Sequence, residues 1–447
     1  MRANWVRMAA IGAAVGGLTA GSALAQDALV RLTLDDALAR GLEASHRLAE
    51  MGARVEASEA REAGRDAADR PQIALVGGYT RTNHIDEFGV PQSDGSLRVI
   101  FPDIPDNYRA RLDLAWPIYT WGRTDALVRA ARAEAAAAGR ELETARADLR
   151  LEITRAYWAL VTARETVAVL DQALRRTDAH LTDVRNRRAV GLVPPNEVLS
   201  AEAQRAHQQV QLIEARNRAD AVASDLRRLV GLAPGTPIDL DVTLTPASLP
   251  GDPDPALVEE ARAARPERQA ITHRLDAAAA VRTATAADAR PQVSLTGGVD
   301  YARPNPRILP RRAEWDSSWD VAVSVSWSLW DGGRVSARVA EAAAVERAAR
   351  ERLLDFDAAL ETDVRQQRLD LASSLAAIAA AEAGIRAAAD ARRVVTERFQ
   401  TGVATNTEVL DAQVALLEAE LDRTRTIAGS RLAEARLNRA LGREVKE

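Results

Sequence analysis

The sequence predicts a chain of mixed α and β structure, built mostly from very long helices and containing an internal twofold repeat with one pair of strands in each copy. Three observations lead to this fold class. One segment alternates apolar and polar residues, two very long segments lack proline, and several motifs recur at a fixed offset. A composition rich in alanine, arginine, glutamate and leucine is typical of long helices.

The strand signal is clearest between Trp315 and Arg334. From Trp319 to Leu329 alternate positions are apolar, and the intervening positions are mostly serine. Because successive side chains point to opposite faces of a strand, one face is apolar and the other is polar. A half-buried soluble sheet and a transmembrane barrel both offer these environments. Trp319 and Trp327 would lie about 26 Å apart at about 3.3 Å per residue, which favours a barrel with aromatic residues at the edges of its apolar band.

The N-terminus has the layout of a secretory signal peptide over residues 1–25. Two arginines precede a short apolar run, and an Ala-Leu-Ala pattern precedes Gln26. A single membrane anchor is the alternative, but the run is short and rich in glycine. We expect cleavage after Ala25, so N-terminal sequencing of the purified protein should give Gln26. A retained Met1 in the membrane-bound form would contradict this assignment.

Several classes of chemistry are excluded by residues that the chain lacks. It contains no cysteine, which excludes disulfides, thiolate metal sites, cysteine catalysis and a lipidated N-terminal cysteine. Its histidines are scattered, and no phosphate loop or nucleophile elbow is present. We therefore expect no cofactor, no metal and no enzymatic activity. Positive charges are interspersed with acidic ones, so no nucleic-acid partner is expected. No long apolar run follows residue 25, so we expect no helix to span a bilayer.

Motifs that recur along the sequence divide the chain into two copies of one unit. The hexapeptide RPQIAL beginning at Arg70 recurs as RPQVSL beginning at Arg290, and both continue into Gly-Gly. Gly191 and Gly402 are each followed, at the same distance, by Glu-Val-Leu. The predicted division is a signal peptide at 1–25, a first repeat at 26–240, a proline-rich linker at 241–255 and a second repeat at 256–447.

Each repeat predicts a helix, a β-hairpin, a very long helix and a returning helix. In the first repeat the initial helix extends over 34–69, with Thr33 or Asp35 as its cap. An insertion between the first two strands is typical of an exposed loop, and a short strand is indicated at 238–244. The predicted β-hairpins lie at 71–120 and 291–330, the long helices at 123–190 and 334–401, and the returning helices at 196–230 and 406–441.

A narrow apolar seam follows the long helices. From Leu149 to Val184 the apolar residues step alternately by four and three, which is the heptad pattern of a left-handed coiled coil. Because four strands cannot close a barrel, several chains must contribute to one barrel. The seam continues on the returning helices at Leu199, Ala203, Ala206, Val210 and Ile213 and, in the second repeat, at Leu410, Val414, Leu417 and Leu421.

With these elements in place, the sequence resembles the TolC-like family, the outer-membrane channels of tripartite efflux pumps and type I secretion systems. The resemblance covers essentially the whole mature chain, and its most specific parts are the tip segments VGLVPPNEVL from Val190 and TGVATNTEVLDAQ from Thr401. It implies a homotrimer with a twelve-stranded barrel in the outer-membrane lipid of a Gram-negative bacterium and a coiled-coil α-barrel in the periplasm. It also implies two partners, a periplasmic adaptor (membrane fusion) protein and, through it, an inner-membrane pump.

The resemblance assigns roles to three groups of residues. Adaptor docking is expected at the tips, whose alternative interpretation is a plain helix turn capped by Asn196 or Asn406. The entrance acids could instead be solvated residues near a helix N-terminus. Phe399 and Ala404 stand where some members have a tyrosine and an arginine. The expected groups are the docking tips Val190, Gly191, Leu192, Gly402 and Val403; the entrance constriction Glu408, Asp411, Phe399 and Glu197; and the membrane aromatic girdle Trp116, Trp319 and Trp327.

A periplasmic adaptor-like coiled-coil structural protein is the alternative function. Such a protein can contain a long helical hairpin, but it does not need two copies of a lipid-faced strand pair. Cell fractionation separates the two functions, because an adaptor follows the inner membrane or periplasm and a channel follows the outer membrane.

Overall fold

The computed structural model describes residues 29–240 and 242–443, so the predicted signal peptide lies outside the described residues. The helices are α1 (Leu34–Ala44), α2 (His46–Ala67), α3 (Arg123–Ala189), α4 (Pro195–Leu229), α5 (Asp254–Ala264), α6 (Pro266–Ala287), α7 (Arg334–Gln400) and α8 (Asn406–Leu441). The strands are β1 (Val30–Leu32), β2 (Gln72–Arg81), β3 (Phe88–Pro91), β4 (Leu97–Phe101), β5 (Asp106–Tyr119), β6 (Ile238–Leu240), β7 (Gln292–Arg303) and β8 (Asp316–Ser326).

The segment predicted as one helix over 34–69 is divided by Ser45. The backbone at Ser45 is extended, and its hydroxyl accepts a hydrogen bond from the N–H of Leu48, so Ser45 ends α1 and caps α2. Thr33 caps α1 in a capping box with Asp36, as one of the two predicted candidates. The single-helix prediction was wrong because a serine at a helix N-cap competes with helix continuation.

Four strands form one antiparallel sheet in the order β2-β5-β7-β8. The pairing of β5 with β7 joins the two halves of the chain, with Leu112 opposite Val299. The inserted segment predicted as a loop contains the β3–β4 hairpin. Strand β8 ends at Ser326, so Trp327 and Leu329 lie beyond the strand in which the alternation placed them.

The helices pack in antiparallel pairs that extend away from the sheet. The long helices α3 and α7 are each 67 residues long, and they contact α4 and α8 respectively near their C-terminal ends. The predicted seam of α3 is buried throughout except for the half-buried Val167. These contacts explain why a helix far longer than the average of about 12 residues remains ordered, since helices of this kind are stabilised by packing along a seam.

The heptad residues predicted to form the seam of α4 are not buried within this chain. Leu199, Val210 and Ile213 are exposed, whereas Val198 and Leu212 on a different face are buried. The heptad positions of α4 therefore face away from α3, because α3 meets the neighbouring stripe of the same helix. An apolar stripe of α4 is left without a partner in the described part of the chain.

A compact core lies halfway along α3. The parallel pair β1–β6 packs there against α1, α3 and α4. Leu32 is fully buried, and its carbonyl accepts a hydrogen bond of 3.3 Å from the hydroxyl of Tyr157. Strand β1 was not predicted, because three residues are too short to show an alternating pattern.

We expected no helix to be long and apolar enough to cross a bilayer, but one helix meets both criteria by its length and composition. Within the described residues, Arg334–Gln400 contains an 18-residue stretch of mean hydropathy 1.3, of which 11% is buried. Its alanine-rich sequence raises the mean hydropathy without large side chains. Length and composition alone are weak evidence for a membrane span, since an alanine-rich helix of a bundle meets the same criteria.

Candidate functional site

Two helix turns lie side by side at the C-terminal ends of the long helices α3 and α7. One joins α3 to α4 and the other joins α7 to α8. Gly191 and Gly402 have φ angles of 78° and 77°, a left-handed conformation that glycine adopts without a steric penalty. A shared hydrophobic cluster that includes Val184, Val198 and Val409 holds the turns together. We call this region the tip cluster, formed by Leu181, Val184, Val198, Ala201, Phe399, Ala404 and Val409.

The predicted docking residues lie on the outside of these turns. Val190, Leu192 and Val403 are 70%, 72% and 66% exposed. Single exposed apolar residues are ordinary, but three at adjacent turns form an exposed apolar patch. Asn196 and Asn406, the alternative caps, do not occupy N-cap positions. The N-cap of α4 is Pro194, and that of α8 is Thr405.

Phe399, expected at the entrance constriction, is buried in the tip cluster. Its ring lies 5.3 Å from the ring of His180, centroid to centroid, in an edge-on arrangement. The guanidinium of Arg187 lies 4.7 Å from the ring centroid and donates a hydrogen bond of 3.2 Å to the Phe399 carbonyl. Phe399 therefore joins the two turns.

A buried polar bridge missed in the sequence also joins the turns. The amide nitrogen of Asn406 donates to the Glu197 carbonyl at 3.1 Å, so the Asn406 oxygen is free to accept. That oxygen lies 2.7 Å from Nε2 of His180, which must then carry the proton. Asn406 is 2% exposed and His180 is 8% exposed. The Asn-after-Thr pattern at a helix start was visible, but its partners lie more than 200 positions away.

Replacing Asn406 by alanine should lower the free energy of unfolding by about 1–3 kcal/mol, because two buried polar groups lose their partner. Thermal unfolding of the purified protein in detergent would measure the change. Thr407→Ala, an exposed substitution at the next position, is the matched control. Equal midpoints for the two variants would contradict the bridge.

Three acids were expected at the constriction, and two of them, Glu408 and Asp411, are exposed and differ in their contacts. Glu408 completes a capping box, since its carboxylate accepts a hydrogen bond of 2.6 Å from the Thr405 N–H and one of 3.1 Å from the Thr405 hydroxyl. These bonds from Thr405 hold the pKa of the Glu408 carboxyl below its usual range. The Asp411 side chain makes no hydrogen bond or ion pair with the part of the chain that the structure describes. The Glu197 side chain has a buried carboxylate oxygen without a partner among the described residues.

The second candidate surface is the apolar face of the four-stranded sheet. Trp319, Val321, Val323 and Val325 on β8 are all more than 60% exposed. The registers place them on the same face as apolar residues of the other three strands. The face continues through Ile73, Leu75, Leu112, Leu114, Leu295 and Val299.

Aromatic residues lie at both ends of this face. At one end Trp319 is accompanied by a cluster that the sequence analysis did not identify. At the other end the indole N–H groups of Trp116 and Trp327 donate hydrogen bonds of 3.0 and 3.1 Å to the carbonyls of Asp69 and Ala289. The additional aromatic residues are Tyr79, Tyr108, Tyr301 and Trp315, with ring centroids 4.9 to 5.9 Å apart.

The opposite face of the sheet carries paired charges. Asp300, which is 3% exposed, accepts hydrogen bonds from Arg109 and Arg111. Arg111 also contacts Asp113 and, at 3.0 Å, Asp320. The sheet thus separates an apolar face from a face of ion pairs. Among the described residues no group of histidine, aspartate and glutamate side chains is placed to hold a metal ion.

The chain is similar in sequence to one protein family and in fold to several solved structures. The family model described as "Outer membrane efflux protein" matches residues 37–232 and 257–443. The outer membrane protein TolC of Vibrio cholerae is 22% identical over 376 residues, which cover 83% of this chain and 82% of that protein. The structure of VceC, an outer membrane protein of Vibrio cholerae, has a TM-score of 0.78 at 22% identity and covers 92% of this chain and 96% of that one. The MtrE outer membrane channel of Neisseria gonorrhoeae, in its open state, has a TM-score of 0.76 at 19% identity, covering 92% and 89%.

Proposed function

Since the chain belongs to the outer membrane efflux protein family, we propose that it is the exit duct of a tripartite efflux or type I secretion system. Its location is the outer membrane of a Gram-negative bacterium. In this role it moves small molecules or proteins from the periplasm, or from an inner-membrane pump, to the outside. It acts by transport rather than by catalysis.

The apolar face of the sheet is the observation that carries this proposal. Bilayer lipid is the environment that accepts so large an exposed apolar face beside a face of paired charges. The outer strands of the sheet, β2 and β8, have one unpaired edge each within the described residues. Unpaired strand edges are not tolerated in lipid, so β8 of one chain pairs with β2 of the next in the proposed barrel. Three chains of four transmembrane strands give the twelve-stranded barrel.

The exposed stripe of α4 supports the same assembly. Leu199, Val210 and Ile213 keep heptad spacing, which predicts a helix partner, and none is supplied within the described part of the chain. In the proposed homotrimer a helix of the neighbouring chain covers this stripe. The helices then form one coiled-coil tube in the periplasm below the barrel. We also propose that the two halves of the chain are structural repeats that contribute equivalent elements to this tube.

Two partners complete the proposed function. The exposed apolar patch at Val190, Leu192 and Val403 is the proposed contact with a periplasmic adaptor protein, which links the duct to an inner-membrane pump. The acids Glu408 and Asp411 are the proposed constriction at the periplasmic entrance. A periplasmic adaptor-like structural protein is the second candidate, favoured only by the long coiled-coil hairpins.

Mass measurement and conductance test the proposal together. The purified protein in mild detergent should have the mass of three chains, and the same sample should conduct ions in planar bilayers. In fractionated cells it should follow the outer membrane. A stable monomer that still conducts would refute the shared barrel, and a protein that follows the inner membrane or periplasm would favour the adaptor.

A further inference from the structure

The segment that joins β7 to β8 folds back over the charged face of the sheet. We call this segment, residues 304–315, the outer strap, because it lies at the end of the sheet farthest from α6 and α7. Ala302, on the charged face beside the strap, is 2% exposed, and Asn305 at the start of the strap is equally buried. Farther along β8 the same face is open, since Ala322 and Ser324 are exposed. The strap therefore covers one end of the charged face and leaves the other end free.

Asn305 fastens the first turn of the strap to β8. Its amide nitrogen donates hydrogen bonds to the Asp316 carbonyl at 3.0 Å and to the Ser318 hydroxyl at 3.1 Å. Its amide oxygen accepts a hydrogen bond of 3.0 Å from the Arg307 N–H. Because this amide is buried and is bonded at both its nitrogen and its oxygen, the turn has a defined position against the strand.

Arg307 fastens the strap to the ion pairs of the charged face. Its guanidinium lies 3.1 Å from Oδ1 of Asp320, and the guanidinium of Arg111 lies 3.0 Å from the same oxygen. That oxygen is buried. A pair with one partner withdrawn from water is screened less by salt than an exposed pair. Arg307 thus joins the strap to the network of charges that the strands carry.

The strap also reaches the strands of the first half of the chain. The Arg311 N–H donates a hydrogen bond of 3.1 Å to the Ile100 carbonyl of β4, and the Arg311 guanidinium lies 5.4 Å from the ring centroid of Phe101. A pocket of about 400 Å³ lies between the strap and the charged face of β2 and β5. It is lined on the sheet by Gly78, Thr80, Arg109 and Arg111 and on the strap by Pro304, Pro306 and Arg311.

We propose that the outer strap narrows the outer mouth of the duct and so limits the size of solute that can enter it from outside. This inference rests on the proposed barrel, in which the charged face lines the lumen and the helices lie in the periplasm. A barrel of twelve strands is wider than the eight-stranded barrels that side chains fill, so loops folded inward are needed to narrow it. Three straps, one from each chain, form this constriction, which is separate from the acids at the periplasmic entrance.

Labelling of a single cysteine inside the barrel tests the strap. Because the chain contains no cysteine, Ser324→Cys places one thiol on the charged face, at a position that the strap leaves free. Intact cells that carry this variant are treated with membrane-impermeant maleimides, one small and the others linked to polymers of increasing length. We expect labelling by the small reagent and by polymers up to a limiting length.

Releasing the strap should raise this limit. Asn305→Ala combined with Arg307→Gln removes both fastenings to β8, so a polymer just above the limit should label the cysteine several-fold faster. Arg312→Gln is the matched control, because Arg312 lies in the same strap and pairs within the described residues only with Glu314. The control should keep the original limit. If the double variant does not reach the outer membrane, Arg307→Gln alone is compared in the same way.

Each outcome decides the proposal. A higher limit in the released variant, with the control unchanged, supports the strap as the outer constriction. An unchanged limit in the released variant, or an equal rise in the control, would overturn it while leaving the barrel in place, since the small reagent still labels the cysteine. If no reagent labels the cysteine from outside, the charged face does not line an open lumen, and the proposed barrel fails together with the strap.

Discussion

Replacing Leu192 and Val403 by glutamate should abolish export while leaving the proposed trimer and its membrane insertion intact. Both side chains project from the tips, at 72% and 66% exposed, and take no part in the buried tip cluster. A carboxylate in the middle of an apolar contact loses its water without gaining a partner, which costs several kcal/mol. Drug resistance of cells that depend on this channel would measure the effect.

The matched control for this prediction is Leu249→Glu. Leu249 is 42% exposed and lies in the linker region, away from both tips, so the same chemical change there should leave resistance at the parent level. Cross-linking between the channel and the proposed adaptor should fall with resistance in the tip variant. Parent-level resistance of the double variant would count against docking at the tips.

The long helices could be predicted because their signals are local. A stretch such as Arg123–Ala189 contains no proline, and its heptad seam can be read residue by residue. The four strands of the main sheet were equally readable, since on β8 the apolar residues from Trp319 to Val325 alternate with polar or small ones. Each of these patterns is complete within one element of the chain.

Features that depend on a partner could not be predicted in this way. The heptad positions of α4 were readable, but the sequence does not state whether α3 or another chain covers them. The bridge from His180 through Asn406 to Glu197 depends on how two turns far apart in sequence meet. Phe399 was assigned to the constriction by resemblance, and only the packing of the tip cluster shows that its side chain is buried.

Converting Glu408 to glutamine and Asp411 to asparagine should weaken the cation selectivity of the pore several-fold and relieve block by divalent ions. The two acids lie three residues apart and share a helix face, so three chains would place them in two stacked rings. Closely spaced carboxylates attract cations and can bind a multivalent ion through several oxygens. Single-channel recordings in planar bilayers would measure both effects.

The variants separate a charge effect from a folding effect. Glutamine at position 408 can still bond to the Thr405 backbone, because a capping box accepts either glutamate or glutamine. The Asp411 side chain has no partner to lose among the described residues, so Asp411→Asn alone should retain the fold and give part of the change in selectivity.

Glu418 provides the control that locates the ring. It is an exposed acid seven residues after Asp411 on α8, which places it about two turns further along the same face. Glu418→Gln should change selectivity much less, because the proposed tunnel is wider there than at its entrance. An equal effect of Glu418→Gln would assign selectivity to the general charge of the wall, and a double variant that behaves like the parent would remove the acidic entrance altogether.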